Sequence, residues 1–160
     1  MTTRIPLSHS KFAIIDTEDA ECLSEYCWFL RQAPTTCYAV GEKWKNGRRE
    51  CARMHRLILN AKNGQIIDHI NHDGLDNRKG NLRFCSKEQN GQNSRIIRKG
   101  KSHSRFKGVT RSKTGKWQAQ IKVNKKLVYL GIFDCEQEAA IAYNRMAAEA
   151  FGKFAFLNPV

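Results

Sequence analysis

The stretch IIDHINHDGLDNRKGNLRFCSKEQNGQN, residues 66–93, decides how the rest of the chain is read. It opens on the apolar run Ile66-Ile67-Asp68-His69-Ile70, whose length suits a short strand. Asn71 to Gly80 follow as a polar loop, in which Asn71, Asp73, Asp76 and Asn77 are most simply turn formers. Asn81-Leu82-Arg83-Phe84 reads as a second strand. Ser86 to Ser94 then starts as a helix, with Ser86 as N-cap and Gln89 at the third helical position, the spacing of a capping box.

The chemistry of this stretch lies in its polar residues. On a strand the adjacent Asp68 and His69 point to opposite faces, so one can bind a metal while the other addresses a different ligand nearby. Amides return at Asn81 and Asn90, the second on the predicted helix, from where an oxygen can come back towards Asp68. A carboxylate and an amide carbonyl are hard donors that suit Mg²⁺ or Mn²⁺ with several waters retained, not zinc. His69, with an ordinary value near neutrality, suits removal of a proton from water.

These residues carry a resemblance. The stretch, introduced by Met54-His55-Arg56-Leu57-Ile58, resembles the HNH nuclease signature of the ββα-metal superfamily, in the form found in phage and intron-encoded homing endonucleases. The resemblance implies that Asp68 and Asn90 hold one divalent cation, that His69 is the general base, and that Asn81 orients His69 or tethers the loop. It further implies in-line attack by water, leaving 5′-phosphate and 3′-hydroxyl ends. Arg83 or Arg95 could brace the phosphate, although a solvated contact is the simpler reading for any one arginine of so basic a chain. His72 and Asn93 are the nearest substitutes for base and ligand, and His55 reads as a structural residue outside the catalytic set.

Charge is distributed just as unevenly. The chain of 160 residues carries 28 Lys plus Arg against 15 Asp plus Glu, a formal net charge of +13. Residues 89–133 contain twelve of those basic residues and no acid, a block that reads as an electrostatic footprint for polyphosphate. Aromatic and β-branched residues alternate through its C-terminal part, which a disordered basic tail would lack. The six cysteines form no C-x-x-C pair, so they are expected to be reduced thiols, with Cys22 and Cys27 in the core. Neither a membrane span nor a signal-peptide pattern is evident, and a soluble protein of the cytoplasm is expected, that of a bacterial host cell if a phage encodes it.

Upstream, Lys11 to Ile15 reads as a strand and Thr17 to Phe29 as a short helix, with Leu23, Tyr26, Cys27 and Leu30 at helical spacing. Thr36–Lys43 and Arg48–Met54 read as a hairpin closed at Asn46-Gly47, and residues 1–53 as a part that packs beneath the next segment. Residues 95–103 read as a basic linker. From residue 104 the pattern is strand, hairpin and helix: Phe106–Arg111, a turn at Thr114-Gly115, Lys116–Val123, a second turn, and Leu127–Phe133. Asp134 with Gln137 is the expected capping box, and Ala139, Ala140, Tyr143, Met146, Ala147 and Ala150 line one helical face ended by Gly152.

This last segment resembles the Apetala-type DNA-binding domain of plant ethylene-response factors, through Phe106-Lys107-Gly108-Val109, Val128–Phe133, Ala139–Tyr143 and Leu157-Asn158. By that resemblance the sheet enters the major groove, and Lys107, Gly108, Thr110, Ser112, Gln120, Lys122 and Tyr129 fall on contact positions, with Tyr143 able to touch the backbone. Thr110 and Ser112 stand where the plant pattern has arginines, and Leu127 replaces another basic contact. Arg105, Arg111, Lys113, Lys116, Lys125 and Lys126 could supply phosphate contacts instead, and Trp117 either stacks on sugar or completes the core.

The expected fold is therefore α+β. A ββα-metal nuclease unit (1–53 with the motif at 54–94) is joined by the 95–103 linker to a three-stranded antiparallel sheet packed on one helix (104–160). The expected activity is Mg²⁺- or Mn²⁺-dependent hydrolysis of DNA phosphodiesters, nicking or double-strand, by a monomer or homodimer tethered to duplex DNA. The competing expectation is a DNA-binding regulator with an inactive nuclease segment.

Overall fold

The computed structural model describes residues 1–34, 36–95 and 104–160. Most of the basic linker lies outside the described residues. The chain divides into two units, Met1–Asn90 and Gly91–Val160. Both are mixed α+β, built from small antiparallel sheets and few helices. Among the described residues no helix is long and apolar enough to cross a membrane.

In the first unit β1 (Thr2–Pro6) pairs with β2 (Phe12–Asp16), and β3 (Cys27–Gln32), β4 (Cys37–Lys45) and β5 (Arg48–Arg53) form a second sheet. Asn46 and Gly47 both have positive φ, which closes β4 and β5 into a tight hairpin. The expected helix over Thr17–Phe29 is much shorter: a 3-10 turn at Thr17–Asp19 and α1 (Ala20–Leu23). The Leu23 carbonyl accepts bonds from the Tyr26 N–H and the Trp28 indole N–H, and the chain then turns into β3. Leu23, Tyr26, Cys27 and Leu30 fit a helical period, but Cys27-Trp28-Phe29-Leu30 is aromatic-rich and finds a full partner in β4. In consequence Cys22 and Cys27 are exposed, not core.

The unit's core is Leu7, Ala13, Ile15, Leu23, Ala39, Met54, Ile58 and Leu82, drawn from elements spread over residues 7–82. Full burial of one such large side chain is worth roughly 1.5–3 kcal/mol. Met54 and Ile58 come from α2 (Met54–Ile58), which carries His55 between them into the same interior. Leu82 begins β7 (Leu82–Cys85), which pairs antiparallel with β6 (Ile66–His69). α3 (Lys87–Asn93) follows directly. Its capping box is formed reciprocally: Ser86 Oγ accepts from the Gln89 N–H at 3.1 Å, and Gln89 Oε1 accepts from the Ser86 N–H at 2.8 Å.

In the second unit β8 (Val109–Arg111), β9 (Trp117–Val123) and β10 (Lys126–Phe133) form a sheet in the order β10-β9-β8. α4 (Glu136–Phe151) packs on it through Ala139, Ala140, Tyr143 and Ala147. Ala150 is exposed, one turn past the end of the covered stripe. The helix starts one residue later than the expected capping box: Cys135 is the N-cap, its Sγ accepting from the Glu138 N–H, while Asp134 pairs with Lys116 at 2.8 Å. Asn158 closes the unit by bonding the Lys107 backbone on both sides, accepting from its N–H and donating to its carbonyl.

Candidate functional site

Asp68 and His69 are consecutive on β6 and both are buried. Antiparallel register sets Arg83 directly across from Asp68. The guanidinium donates from Nε and Nη2 to Asp68 Oδ2 at 2.8 and 2.6 Å. The Asp68 and Arg83 side chains are only 7% and 13% exposed, so the pair is desolvated. Arg83 is thus no solvated arginine; its role follows from standing on the neighbouring strand, a signal that a register prediction can supply.

His69 faces another set of neighbours. Its ring lies 5.0 Å from that of His55, edge-on at 90°, and 5.9 Å from that of Tyr38. Tyr38 comes from β4 and His55 from α2, and their rings are 5.6 Å apart. Burial pushes the His69 imidazole below its ordinary value, against the side chain of Asn77 and the carboxylates of Asp68, Asp73 and Asp76, which favour the cation. Burial, with His69, Arg53 and Arg56 nearby, drives His55 down to about 3. Both imidazoles are therefore neutral around pH 7, and a neutral imidazole can take a proton.

The loop between β6 and β7 is held rigidly. Asn81 is buried; its Oδ1 accepts from the Asn71 N–H, and its Nδ2 donates to Asn71 Oδ1 and to the Asp76 carbonyl. Asp76 accepts from Asn71 Nδ2 and from Arg78 Nε and Nη2, and the Arg78 guanidinium holds its carboxyl below the usual range. Asn71 and Asp73 accept from backbone N–H groups two residues on, as turn formers do. The loop is also stitched to β2: Leu75 accepts from the Ile14 N–H, and Ile14 accepts from the Asn77 N–H. Gly74 permits this course, because a Cβ there would run into the Cys37 carbonyl.

Asn90 stands exposed on α3, whereas Asn93 is buried. His72 is half-buried with positive φ at the start of the loop. Among the described residues no three His, Cys, Asp or Glu side chains gather into a metal cage. A carboxylate and an amide oxygen are the donor types of a hard cation that keeps most of its own water.

The contact positions of the second unit fall into three groups. The sheet face away from α4 presents Thr110, Gln118, Gln120 and Lys122, with Leu127, Tyr129 and Ile132 exposed beside them on β10; Lys113, Lys125 and Lys126 are also exposed. Arg105 and Lys116 are half-exposed and paired with Glu136 and Asp134, bonds weak enough at the surface to be exchanged. Lys107 is spent inside the unit, its ammonium donating to the carbonyls of Gly91, Gln92 and Ser94, and burial lowers it to about 8. Gly108, at φ 77, lies against the Tyr143 ring with no room for a Cβ. Tyr143 is itself core, its hydroxyl pushed up to about 12 by burial, so the expectation that it touches a DNA backbone fails. Trp117 packs partly buried against Phe106 and Val109, with the Arg111 guanidinium 5.9 Å over its ring. Ser112 Oγ is taken up by Thr114 Oγ1 in the turn.

The similarities to known proteins are twofold, to HNH endonucleases over the middle of the chain and to APETALA2-type proteins over its C-terminal part. Residues 52–92 match the family model of the HNH endonucleases. The chain is 29% identical over 152 residues, 93% of its length, to an uncharacterized HNH endonuclease of Acanthamoeba polyphaga mimivirus, covering 75% of that protein. Rice APETALA2-like protein 2 is 47% identical over 57 residues, 34% of this chain but 13% of the rice protein. Arabidopsis thaliana dehydration-responsive element-binding protein 2E is 31% identical over 90 residues, 50% of this chain and 34% of its own length. No solved structure matches. Together these similarities support a nuclease with DNA as its partner.

Proposed function

We propose that the chain is a divalent-metal-dependent DNA endonuclease of the ββα-metal type, held on duplex DNA by its second unit. The observation that carries this reading is the division of labour on β6: a buried carboxylate fixed by Arg83 beside a buried imidazole kept neutral. Neutral His69 takes a proton from the attacking water, and the edge-on His55 ring with Tyr38 sets the orientation of its imidazole. Asp68 and the Asn90 amide would hold the cation, while Asn81 keeps the loop after β6 in place. When bound, Mg²⁺ or Mn²⁺ offsets the negative charge that grows on the scissile phosphate and leaving oxygen. Hydrolysis leaves 5′-phosphate and 3′-hydroxyl ends. The exposed face of the β8–β10 sheet, with the lysines around it, provides affinity for the duplex.

The test is cleavage of supercoiled plasmid with Mg²⁺ by wild type and His69→Ala, alongside duplex binding by anisotropy. Cutting by wild type alone, with binding kept in both, supports the reading. Equal cutting by both removes His69 as base, and binding without cutting in any divalent metal leaves a DNA-binding protein with an inactive nuclease segment.

A further inference from the structure

The β4–β5 hairpin continues beyond the core that anchors it. Ala39, Val40 and Gly41 are buried, but from Trp44 through Cys51 every residue is exposed. Trp44 is 76% exposed, whereas the chain's other tryptophans, Trp28 and Trp117, are partly buried against a core. A large indole left in water forgoes burial that nearly every tryptophan obtains.

The charges around it are as uneven as the apolar surface. Residues 42–53 hold five basic residues, Lys43, Lys45, Arg48, Arg49 and Arg53, against Glu42 and Glu50. The rest of residues 1–60 holds four basic and five acidic residues, so the excess of this region sits on the hairpin. Three of these cations have partners: Lys43 pairs with Glu25, Arg49 with Glu42, and Arg53 lies over the Tyr38 ring. At the tip, Lys45 and Arg48 make no ion pair among the described residues, and strand register sets them directly opposite each other. Like charges facing across a two-stranded ribbon destabilise it, and a polyanion laid over both removes that cost.

We infer that this ribbon is a second DNA contact, on the nuclease unit itself, entering a groove so that Trp44 packs on one wall while Lys45 and Arg48, on the ribbon's opposite face, neutralise phosphates of the other. The inference rests on the proposed nuclease reading. A two-stranded β-ribbon is of a size that enters a groove of duplex DNA. The same strand links contact and chemistry, since Tyr38 of β4 lies against His69 and Trp44 is six residues further along. At ~3.3 Å per residue the tip reaches ~20 Å from the site, about six base pairs along a duplex. The ribbon therefore touches DNA on one side of the scissile phosphate, within roughly half a helical turn.

The experiment uses the full chain in EDTA with a mixed-sequence duplex, following anisotropy and acrylamide quenching of tryptophan together. Binding that shields wild-type fluorescence, with a much smaller change in Trp44→Phe, is the expected result. In Lys45→Ala/Arg48→Ala the slope of log affinity against log salt should fall by about 2. Duplex binding with quenching unchanged and the salt slope unaltered overturns the inference while leaving the rest of the DNA reading standing. Absence of any duplex binding overturns both. Shielding that rises with protein concentration before DNA is added identifies a second copy as the occupant and also overturns it. Trp44 is exposed, so Trp44→Phe is expected to fold, and far-ultraviolet circular dichroism checks this.

Discussion

The region around β6 and the outer face of the β8–β10 sheet are both polar, yet they are built in opposite ways. At β6 the charged and titratable groups are buried and held by one another: Asp68 by Arg83, His69 by ring neighbours, Asn81 by three hydrogen bonds. On the sheet face, Lys122, Leu127 and Tyr129 are exposed. Chemistry requires atoms fixed before the substrate arrives, at the cost of desolvating them. Binding a polyanion requires charges that can move to meet phosphates, which exposure leaves them free to do.

The largest effect that separates the two regions is expected for His69→Ala. Removing the proposed general base should lower the cleavage rate by roughly 10²- to 10⁴-fold, with duplex affinity changed little. Loss of both together would erase the distinction between the two regions. Next comes Arg83→Ala, which takes a charged partner from the buried Asp68 carboxylate and should cost the first unit ~3 kcal/mol in urea unfolding. A change of a few tenths would mean that water reaches Asp68 freely.

On the other side of the comparison, Lys113→Ala with Lys122→Ala should lower the salt slope of duplex binding by about 2 without altering cleavage at saturating DNA. Lys107→Ala should behave as a site in the interior, lowering the unit's stability by ~1–3 kcal/mol because three carbonyls lose their donor. If Lys107→Ala affects only the salt slope, that assignment is wrong.

Acid should act on the first region alone. His55 titrates near its ordinary value in the unfolded chain and at about 3 in the fold, so the unfolded state binds more protons between those limits. Stability contributed by neutral His55 is then present above about pH 6.5 and lost as pH falls towards 3, by up to ~1.4 kcal/mol per pH unit. His55→Phe should flatten that slope in pH-dependent denaturation. The smallest effect is Ser86→Ala, about 1 kcal/mol from loss of the helix cap.

Local chemistry made much of this legible in sequence. The Asn46-Gly47 turn, the Ser86/Gln89 capping box and the Asn-Asp turns after His69 each depend on residues a few positions apart. Helical spacing misled where strand pairing supplied the stronger interaction, as at Cys27–Gln32. His55 and Tyr38 at His69 could not be read from spacing, since they come from separate elements joined only by the core. The same limit hid the fate of Lys107, whose partners are backbone carbonyls near the end of α3.

The pairing of Asp68 with Arg83 also fixes the register of the β6–β7 hairpin. A slip of one residue would set Leu82 or Phe84 opposite Asp68 and turn Arg83 to the other face. A buried carboxylate would then face hydrocarbon, which favours the native alignment over the slipped one. Strands of four residues have few hydrogen bonds with which to reject a wrong alignment, and here one ion pair supplies much of that discrimination.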